Sequence, residues 1–350
     1  MRIPIVILNY QGEKLLRDCL DSLHAQTYPE VDVWVADNAS ADGSLDLLRK
    51  SYPGVRLLVF ERNFGFAKGY NLALREVFKD PKVRYFATLN NDTKVTPGWL
   101  SSLVEVMESH PDAATVTSKV LFYYEPDKID TTGVLLYRDG SSQGRGHCET
   151  DRGQYGEVEE VFGASLVAAL VRREAWEEAG GFEDIFFAYN EEVDVNWRMR
   201  LRGWKSYYCP GAVVYHVHSA SFGSYSPTKV YLTERNRIWH IVRNLPLRML
   251  LASPYYTAVR YWRLATGMSE RRGAASKAAE RTSVRRLVVT VLRAWLAGLA
   301  LSPLFFVKRF RNQRQRRVST REVLEWHRRF ALDVDTLTLV NRERIDHRKM

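Results

Sequence analysis

A single carboxylate, Asp92, stands in the polar run 89–93 (LNNDT), directly after an apolar segment. A carboxylate at the mouth of a strand can hold a divalent cation through oxygen, and that cation can bridge a diphosphate. The same residues also suit an Asx turn that ends a strand. Residue type favours neither interpretation, so Asp92 is a candidate metal ligand whose role depends on its neighbours.

A second group of carboxylates opens a predicted helix over 190–202. The helix dipole stabilises acids in a first turn, which explains Glu191, Glu192 and Asp194 without a catalytic role. Asp194 and Arg198 are four residues apart, which predicts an ion pair along the helix. Glu192 projects from a different face and is therefore the candidate general base, with Glu191 as the second choice.

Two further segments suit contact with a nucleotide. The run 36–44 (ADNASADGS) places Asp37 and Asn38 after a strand, where they can read a base or ribose, or simply form a turn with a helix cap. The run 62–71 (RNFGFAKGYN) has small residues that let a ligand approach the backbone, and Arg62 can meet phosphate, although an ordinary loop is the alternative. Neither a dinucleotide fingerprint nor a P-loop occurs in the sequence.

Two histidines, His216 and His218, follow a predicted strand over 213–216 and share one face of an extended segment. An isolated histidine is more often a packed or surface residue. Two at a strand end make a metal or phosphate contact an equal alternative.

Strand and helix patterns alternate over the first 120 residues and must position these groups. Strands are predicted at 3–8, 31–36, 55–59 and 85–89, and helices at 14–25, 44–50 and 67–77. Pro97 is predicted to be the first residue of the next helix, with Thr96 as its N-cap. This order predicts an α/β fold with a doubly wound, mostly parallel sheet that binds ligands at the carboxyl ends of its strands.

The later part of the body is less regular. We predict a hairpin and loops at 121–160, a strand-like run at 162–171, and a short helix at 174–179. From about Ser226 the pattern changes to long basic helices.

Charge divides the chain of 350 residues into an acidic body and a basic tail. Residues 1–225 contain 24 Lys and Arg against 32 Asp and Glu, whereas residues 226–350 contain 27 against 9. Such a tail suits an anionic lipid surface or nucleic acid. No zinc finger, RNP motif or helix-turn-helix pattern accompanies it, so nucleic acid is not a predicted partner.

The tail contains an apolar stretch, 287–307 (LVVTVLRAWLAGLALSPLFFV), that is long enough to span a membrane. Arg293 near its middle would be costly there, by about 2.5–3.5 kcal/mol. Basic residues flank both ends, so a span would have no preferred orientation. We therefore favour an amphipathic helical pair in the membrane interface over a span, and a soluble helical hairpin is the remaining alternative.

Compartment is indicated by the cysteines and by the beginning of the chain. Cys19, Cys148 and Cys209 are widely spaced and odd in number, so a reducing compartment is the simplest expectation. The first apolar run is too short for a secretory signal and is interpreted as a strand.

Six motifs occur in the order typical of one enzyme family. They are VILNYQG at 6–12, VWVADNASADGS at 33–44, NFGFAKGYN at 63–71, LNNDT at 89–93, GGFEDIFFAYNEEVDVNWRMRLRGW at 180–204 and YHVHSASFG at 215–223. With them the chain resembles the GT-A glycosyltransferases of family 2, especially their bacterial rhamnosyltransferase-like branch, over roughly its first 240 residues. Each motif alone is weakly specific, whereas six in order are strongly so.

The resemblance implies roles for individual residues. Asp37 matches the acid that recognises the nucleotide base, with Asn9 and Asn38 nearby, and Asp92 matches the residue that ligates metal and diphosphate. Further donor-pocket residues are implied at Arg62, Asn71 and Asn91. Glu191 and Glu192 match an acidic pair whose second member is the base, and His216 matches a further metal ligand.

Two positions depart from the family pattern. Asn90 replaces the first Asp of the DxD motif, which weakens metal binding there. Glu replaces Asp at 192, which lengthens the base by one methylene and shifts the place of the acceptor.

Together these features imply an inverting glycosyltransferase assisted by Mg²⁺ or Mn²⁺. It would move a sugar, with rhamnose suggested by the branch, from a dTDP- or UDP-linked donor to a lipid-linked or cell-surface polysaccharide acceptor. A nucleotidyltransferase lacks support because no basic phosphate-activating loop follows strand one, and a non-catalytic nucleotide-sugar-binding or membrane scaffold protein is the alternative.

The implied organisation is a GT-A catalytic domain at 1–225 with a helical extension at 226–350. Its nucleotide-sugar half is 1–120 and its acceptor half is 121–225. The extension would hold the enzyme peripherally on the anionic inner face of the cell membrane, on the cytoplasmic side.

Overall fold

The computed structural model describes residues 1–217, 226–270 and 272–340. In these ranges the strands are β1 (Ile3–Asn9), β2 (Val31–Asp37), β3 (Arg56–Val59), β4 (Tyr85–Asn90), β5 (Thr93–Val95), β6 (Ala113–Phe122), β7 (Glu125–Thr131), β8 (Val134–Leu136), β9 (Ser142–Gly144), β10 (Glu159–Val161), β11 (Ala168–Arg172) and β12 (Lys205–His216). The helices are α1 (Glu13–His24), α2 (Ser44–Ser51), α3 (Gly65–Val77), α4 (Trp99–Ser109), α5 (Arg173–Ala179), α6 (Glu191–Leu201), α7 (Pro227–Asn244), α8 (Leu247–Ser269), α9 (Gly273–Arg281), α10 (Val284–Arg314), α11 (Thr320–Arg329) and α12 (Val334–Leu339), and a 3-10 turn covers Asp184–Phe186.

The first half of the chain forms the parallel part of a ten-stranded sheet, in the order β3, β2, β1, β4. β1 pairs in parallel with β2 and β4, and β2 pairs in parallel with β3. β1 and β4 are buried almost throughout, as expected for strands covered on both faces. The predicted doubly wound α/β sheet is confirmed, and its carboxyl edge carries Asn9 directly opposite Asp37.

The second half of the chain adds a mixed edge to this sheet. β11 pairs antiparallel with β4 and β6, while β12 lies parallel to β6 and antiparallel to β5. β12 is longer than the predicted strand at 213–216. It continues through an irregularity between Cys209 and Val213, where a proline and a glycine interrupt the apolar pattern in the sequence.

The start of α4 was predicted wrongly. The helix begins at Trp99 rather than at Pro97. Thr96 does not cap it, because its hydroxyl donates to the carbonyl of Val213 at 3.1 Å. This long-range hydrogen bond to the neighbouring strand outweighs the local cap.

The predicted strand at 162–171 is also shorter in the structure, where β11 starts only at Ala168. The chain before it is held in part by a side chain. The Asn196 amide donates to the Ala164 carbonyl at 2.8 Å and accepts from the Ala164 N–H at 3.3 Å.

The C-terminal helices pack on the body through α6 and α7. The predicted Asp194–Arg198 ion pair is confirmed at 2.8 Å, and both side chains are almost fully buried. α10 packs along α7, where the Trp239 indole donates to the Gly298 carbonyl at 2.9 Å and stacks on Phe305. A boundary at 225/226 stays a prediction.

The apolar stretch 287–307 lies within a single continuous helix, α10, rather than in a pair of helices. Pro303 is accommodated inside this helix. In the described part of the chain, α10 alone is long and apolar enough to cross a membrane by length and composition, and about one tenth of its apolar window is buried.

Two histidines are buried between α6, α7 and α11. His327 lies 5.4 Å from the Trp197 ring, and neither of its ring nitrogens has a hydrogen-bond partner in the described residues. Burial, with His240 and Arg138 adding to it, lowers the pKa of His327 to about 3. Burial also lowers the pKa of His240.

These histidines predict that their own contribution to the free energy of unfolding decreases as the pH falls below about 6.5. The unfolded chain takes up protons there, whereas the folded His327 stays neutral, so stability present above pH 6.5 is lost on acidification. The loss attributable to His327 approaches about 1.4 kcal/mol per pH unit, and urea titrations of wild type and His327→Leu at pH 6.5 and 5 measure it. A slope as steep in His327→Leu as in wild type would contradict the prediction, and the exposed His24→Gln is the control.

Candidate active site

Asp92 and His216 are 124 positions apart in sequence and come together through strand pairing. β5 runs antiparallel to β12, so that Thr93 lies opposite His216, and the Val217 N–H donates to the Asp92 carbonyl at 3.0 Å. This register leaves the His216 Nε2 atom 3.2 Å from the Asp92 Oδ1 atom, with both side chains buried. The sheet edge therefore unites two groups that the sequence places far apart.

Asp130, at the end of β7, completes this cluster. Its Oδ2 atom lies 2.7 Å from His216 Nδ1, so the imidazole is held between two carboxylates. Burial alone would lower the pKa of His216, but Asp92 and Asp130 raise it to about 10. His147 contacts the same Asp130, at 3.3 Å from its Oδ1 atom.

Glu192 is half-buried near this cluster. Its Oε2 atom accepts a hydrogen bond from the Leu166 N–H at 3.0 Å, which fixes the carboxylate. Burial raises the pKa of Glu192, Asp130 raises it further, and His216 lowers it. Glu192 thus lies within electrostatic range of two members of the cluster that contains Asp92.

Glu191 occupies a different environment. Its side chain is buried, and its Oε2 atom has no hydrogen-bond partner in the described part of the chain. Burial, together with the neighbouring Glu192, raises the pKa of Glu191 to about 8. A carboxyl group of this kind carries a proton near neutral pH.

The carboxyl ends of β1, β2 and β4 form a hydrogen-bonded polar row. The Asn9 amide donates to Asp37 Oδ2 at 2.8 Å, and Asn91 donates to Asn9 Oδ1 at 2.8 Å. The other Asp37 oxygen accepts from the Ser40 N–H at 2.8 Å. Three sequence-predicted donor residues, Asn9, Asp37 and Asn91, are therefore brought together.

The remaining residues that were predicted to bind the sugar donor contact other parts of the protein. Asn38 accepts from the Phe64 N–H at 2.8 Å and so fixes the start of α3. Arg62 is exposed and lies over the Phe64 ring at 4.9 Å. Asn71 bonds the backbone of Phe182 in both directions, at 2.9 and 3.0 Å. Their roles in donor binding stay predictions.

A strained turn leads into α6. Phe187, Tyr189 and Asn190 all have positive φ angles, which are uncommon for residues with a side chain. The buried Asn236 of α7 holds this turn: its amide nitrogen lies 2.9 Å from the carbonyls of Phe186 and Ala188 and 2.7 Å from that of Tyr189. A helix of the C-terminal region therefore fixes the backbone that precedes Glu191 and Glu192.

The donor set at the cluster suits a divalent cation. Asp92 offers an oxygen and His216 a nitrogen, and Asp130 contacts the second ring nitrogen, as carboxylates commonly do behind metal-bound histidines. Among the described residues no group of three or more His, Cys, Asp or Glu could hold a metal by itself. His218 lies outside the described residues.

Two residues of the site, Asp130 and Asn236, were not predicted from the sequence. Asp130 lies in a region predicted only as hairpin and loops, and its contact with His216 spans 86 residues. Asn236 lies in the basic helical region, where its neighbours gave no catalytic pattern. In the sequence, the only local indication for Asp130 is that it directly follows an apolar residue, Ile129. The structure shows that Ile129 is buried in the core.

Residues 5–180 match the sequence model of glycosyl transferase family 2, about half of the chain. The chain belongs to this family and is a glycosyltransferase with a GT-A fold. It is a rhamnosyltransferase-like member, and these findings favour an enzyme over the scaffold alternative.

Two relatives illustrate the likeness. The chain is 28% identical over 278 residues to an N-acetylglucosaminyl-diphospho-decaprenol L-rhamnosyltransferase of Mycobacterium tuberculosis, covering 71% of this chain and 89% of the relative. It is 25% identical over 230 residues to the O-antigen biosynthesis protein RfbC of Myxococcus xanthus, covering 63% of this chain and 18% of that protein.

Solved structures share the fold. They include a mannosyltransferase of Pyrobaculum calidifontis in complex with GDP-Man and Mn²⁺, with a TM-score of 0.51, 16% identity, and 90% and 85% of the two chains covered. GalNAc-T7 with UDP, GalNAc and Mn²⁺ gives a TM-score of 0.58 at 14% identity, over 87% of this chain and 58% of that one.

Gly12 predicts a test of the polar row. A Cβ atom at this position would overlap the Asn9 Oδ1 and Asn91 Nδ2 atoms, so Gly12→Ala should break their hydrogen bond. We expect the dissociation constant of the nucleotide-sugar donor to rise about tenfold, equivalent to about 1.4 kcal/mol, by calorimetry. Gly54→Ala is the matched control because nothing lies within 4 Å of its Cβ. Equal donor affinity in both variants would exclude a role for the row.

Proposed function

We propose that this glycosyltransferase catalyses an inverting sugar transfer with Glu192 as general base. The observation that carries the proposal is the cluster in which His216 bridges Asp92 and Asp130 within electrostatic range of Glu192. A site for the leaving diphosphate and a base for the acceptor would then face the same pocket. Side chains at the sheet edge and on α6 would then supply both requirements of a single displacement.

The reaction exchanges one bond at the anomeric carbon for another. The acceptor hydroxyl oxygen attacks that carbon while the bond to the nucleoside diphosphate breaks, and the diphosphate leaves with the bonding electrons. Glu192 takes the hydroxyl proton. Its raised pKa suits this task, because a base is most effective when its pKa approaches the working pH. Glu191 is the second candidate for this role.

Asp92 and His216 would hold Mg²⁺ or Mn²⁺. The cation would neutralise charge on the leaving diphosphate. Asp130 would fix the His216 ring so that Nε2 points toward Asp92. Two solved structures of the same fold contain Mn²⁺, which supports a divalent cation as the cofactor.

The donor is a nucleoside-diphosphate sugar, dTDP- or UDP-linked in our proposal. Asp37 and Asn9 would recognise the base at the end of the polar row, with Asn38, Arg62, Asn71 and Asn91 as further donor residues. Rhamnose is the proposed sugar and a lipid-linked or cell-surface polysaccharide the proposed acceptor, because the mycobacterial relative is named as a rhamnosyltransferase of a diphospho-decaprenol.

The acceptor is reached at the membrane. Large apolar side chains of α8 and α10 are exposed, including Leu251, Trp262 and Leu296. Such a face, accompanied by basic residues, suits a helix that lies in the membrane interface. We place the enzyme peripherally on the inner, anionic face of the cell membrane, in the cytoplasm.

Two substitutions separate the base from the metal ligand. Glu192→Gln keeps the shape of the side chain but cannot take a proton, so we expect transfer to fall about 10²–10⁴-fold while donor affinity stays near wild type. Asp92→Ala should instead weaken donor binding only when Mn²⁺ is present. Transfer assays and calorimetry with and without metal measure both. Full activity of Glu192→Gln would remove Glu192 from the role.

Asn236 provides a test of the turn that positions the base. Asn236→Asp keeps the size of the side chain but replaces its donor group with a carboxylate facing three carbonyls. We expect kcat to fall at least tenfold with little change in the donor KM, because the turn that carries Glu192 relaxes. Asn236→Gln should recover part of kcat. A uniform loss of folded protein, without a selective effect on kcat, would indicate a merely structural role.

A further inference from the structure

A basic cleft opens between the catalytic body and the C-terminal helices. It has a volume of about 480 Å³ and lies between α3, the chain after α5, and the end of α10. Five cations line it, contributed by three helices and by the residue that follows α6: Arg75, Arg202, Arg243, Lys308 and Arg311.

The acids near the cleft neutralise only some of these cations, and Arg243 also pairs with Asp194 at 3.3 Å. Glu183 pairs with both Arg243, at 3.0 Å, and Lys308, at 2.6 Å. Glu177 is engaged by Arg173 outside the cluster, and Asp184 accepts from Asn71. Arg75, Arg202 and Arg311 form no ion pair with a carboxylate in the described ranges, so the cleft has an excess of positive charge.

Within the described part of the chain, two arginines of the cleft have an unmet requirement, Arg243 for a hydrogen-bond acceptor and Arg202 for a carboxylate partner. The Arg243 Nε atom is buried and has no hydrogen-bond partner among the described residues. Arg202 is held by the side-chain oxygens of Asn312 and Gln315, which are neutral. Burial, with charge repulsion from Arg243 and Arg311 and against the attraction of Glu178, lowers the pKa of Arg202 to about 10. A bound anion would relieve both conditions.

The cleft does not contain the proposed base or metal ligands, although Asn71 borders it. Asp194, Arg198 and Arg202 follow one face of α6 at intervals of four residues, and this face leads to the cleft. Glu192 does not line the cleft, because ten residues of helix, about 15 Å of axial rise, separate it from Arg202. A ligand in the cleft would therefore not touch the reacting atoms.

The cleft borders the exposed apolar face of α10. Val307 and Phe310 are 67% and 57% exposed, and each directly precedes a cation of the cleft, Lys308 and Arg311. Neighbouring residues in a helix point about 100° apart, so the cations lie at the rim of this face. If the apolar face enters the interface, the cleft faces the headgroup layer.

We propose that this cleft binds the phosphate group of an anionic membrane lipid. The inference rests on the proposed docking of α8 and α10 at the membrane. Arginine forks suit phosphate oxygens, which accept two parallel hydrogen bonds from one guanidinium. A lipid headgroup is favoured over a free anion because the cleft adjoins an exposed apolar surface. Its occupation would fix the orientation of the catalytic body above the membrane.

The test is co-sedimentation of the full-length protein with phosphatidylcholine vesicles that contain phosphatidylglycerol. Each basic residue near an anionic membrane contributes about 1 kcal/mol to binding. The double variant Arg75→Ala/Arg311→Ala should therefore bind these vesicles more than about tenfold more weakly than wild type. Arg75→Lys/Arg311→Lys keeps the charge but loses the fork, and should still reduce the affinity about threefold. The control Arg49→Ala/Lys82→Ala removes two exposed charges from the body and should change it less than twofold.

Each other outcome overturns the inference. A lysine variant equal to wild type, or a control as weak as the alanine variant, would show diffuse charge attraction instead of a site. Calorimetric binding of inorganic phosphate with a Kd below about 1 mM would assign the cleft to a soluble anion. If wild type binds no vesicles, the membrane docking of the proposed function fails as well. If wild type binds vesicles and the alanine and lysine variants bind them with the same affinity, the proposed docking stands and the cleft assignment alone fails.

Discussion

The buried carboxylate of Asp194 is the interaction on which the rest of the structure depends. It is fully buried and contacts Arg198 at 2.8 Å, Arg243 at 3.3 Å and Asn244 at 2.7 Å. Burial would raise its pKa, but Arg198 and Arg243 hold it well below its usual range. Removing one partner from such a group would leave a buried charge uncompensated, which is strongly destabilising. These contacts hold α6 and α7 together. Asn244 links them to α10, because its side-chain oxygen accepts a hydrogen bond from Asn312.

Because of these contacts, the two faces of α6 have separate roles. One face carries the buried charges that anchor the C-terminal helices, and the other presents Glu192 to the sheet edge. Asn236 of α7 reaches the turn before Glu191 from the same packed unit. The helices that expose an apolar surface are thus connected, through packed side chains of α7, to the turn before the proposed base. The proposed membrane docking and the proposed catalytic role would therefore share one framework.

Much of the fold was predictable because its determinants are local. Strands at 3–8, 31–36 and 85–89 were found from short apolar runs, and each agrees with the structure to within one residue. The Asp194–Arg198 pair followed from helical spacing. The start of α4 and the extent of β12 were not predictable, since Thr96 bonds to Val213 and the ladder of β12 continues through a bulge. Both depend on a strand more than ninety residues away.

The sequence by itself determined the α/β order and the residue types at the strand ends, because these follow from hydrophobic period and turn chemistry within a few positions. Only the tertiary structure decided that Asp130 contacts His216 and that Asn236 holds the turn before Glu191. Such contacts depend on strand register and helix packing. Local sequence does not encode which distant residues become neighbours, and the free energy of those contacts is gained only when the whole sheet and its helices are assembled.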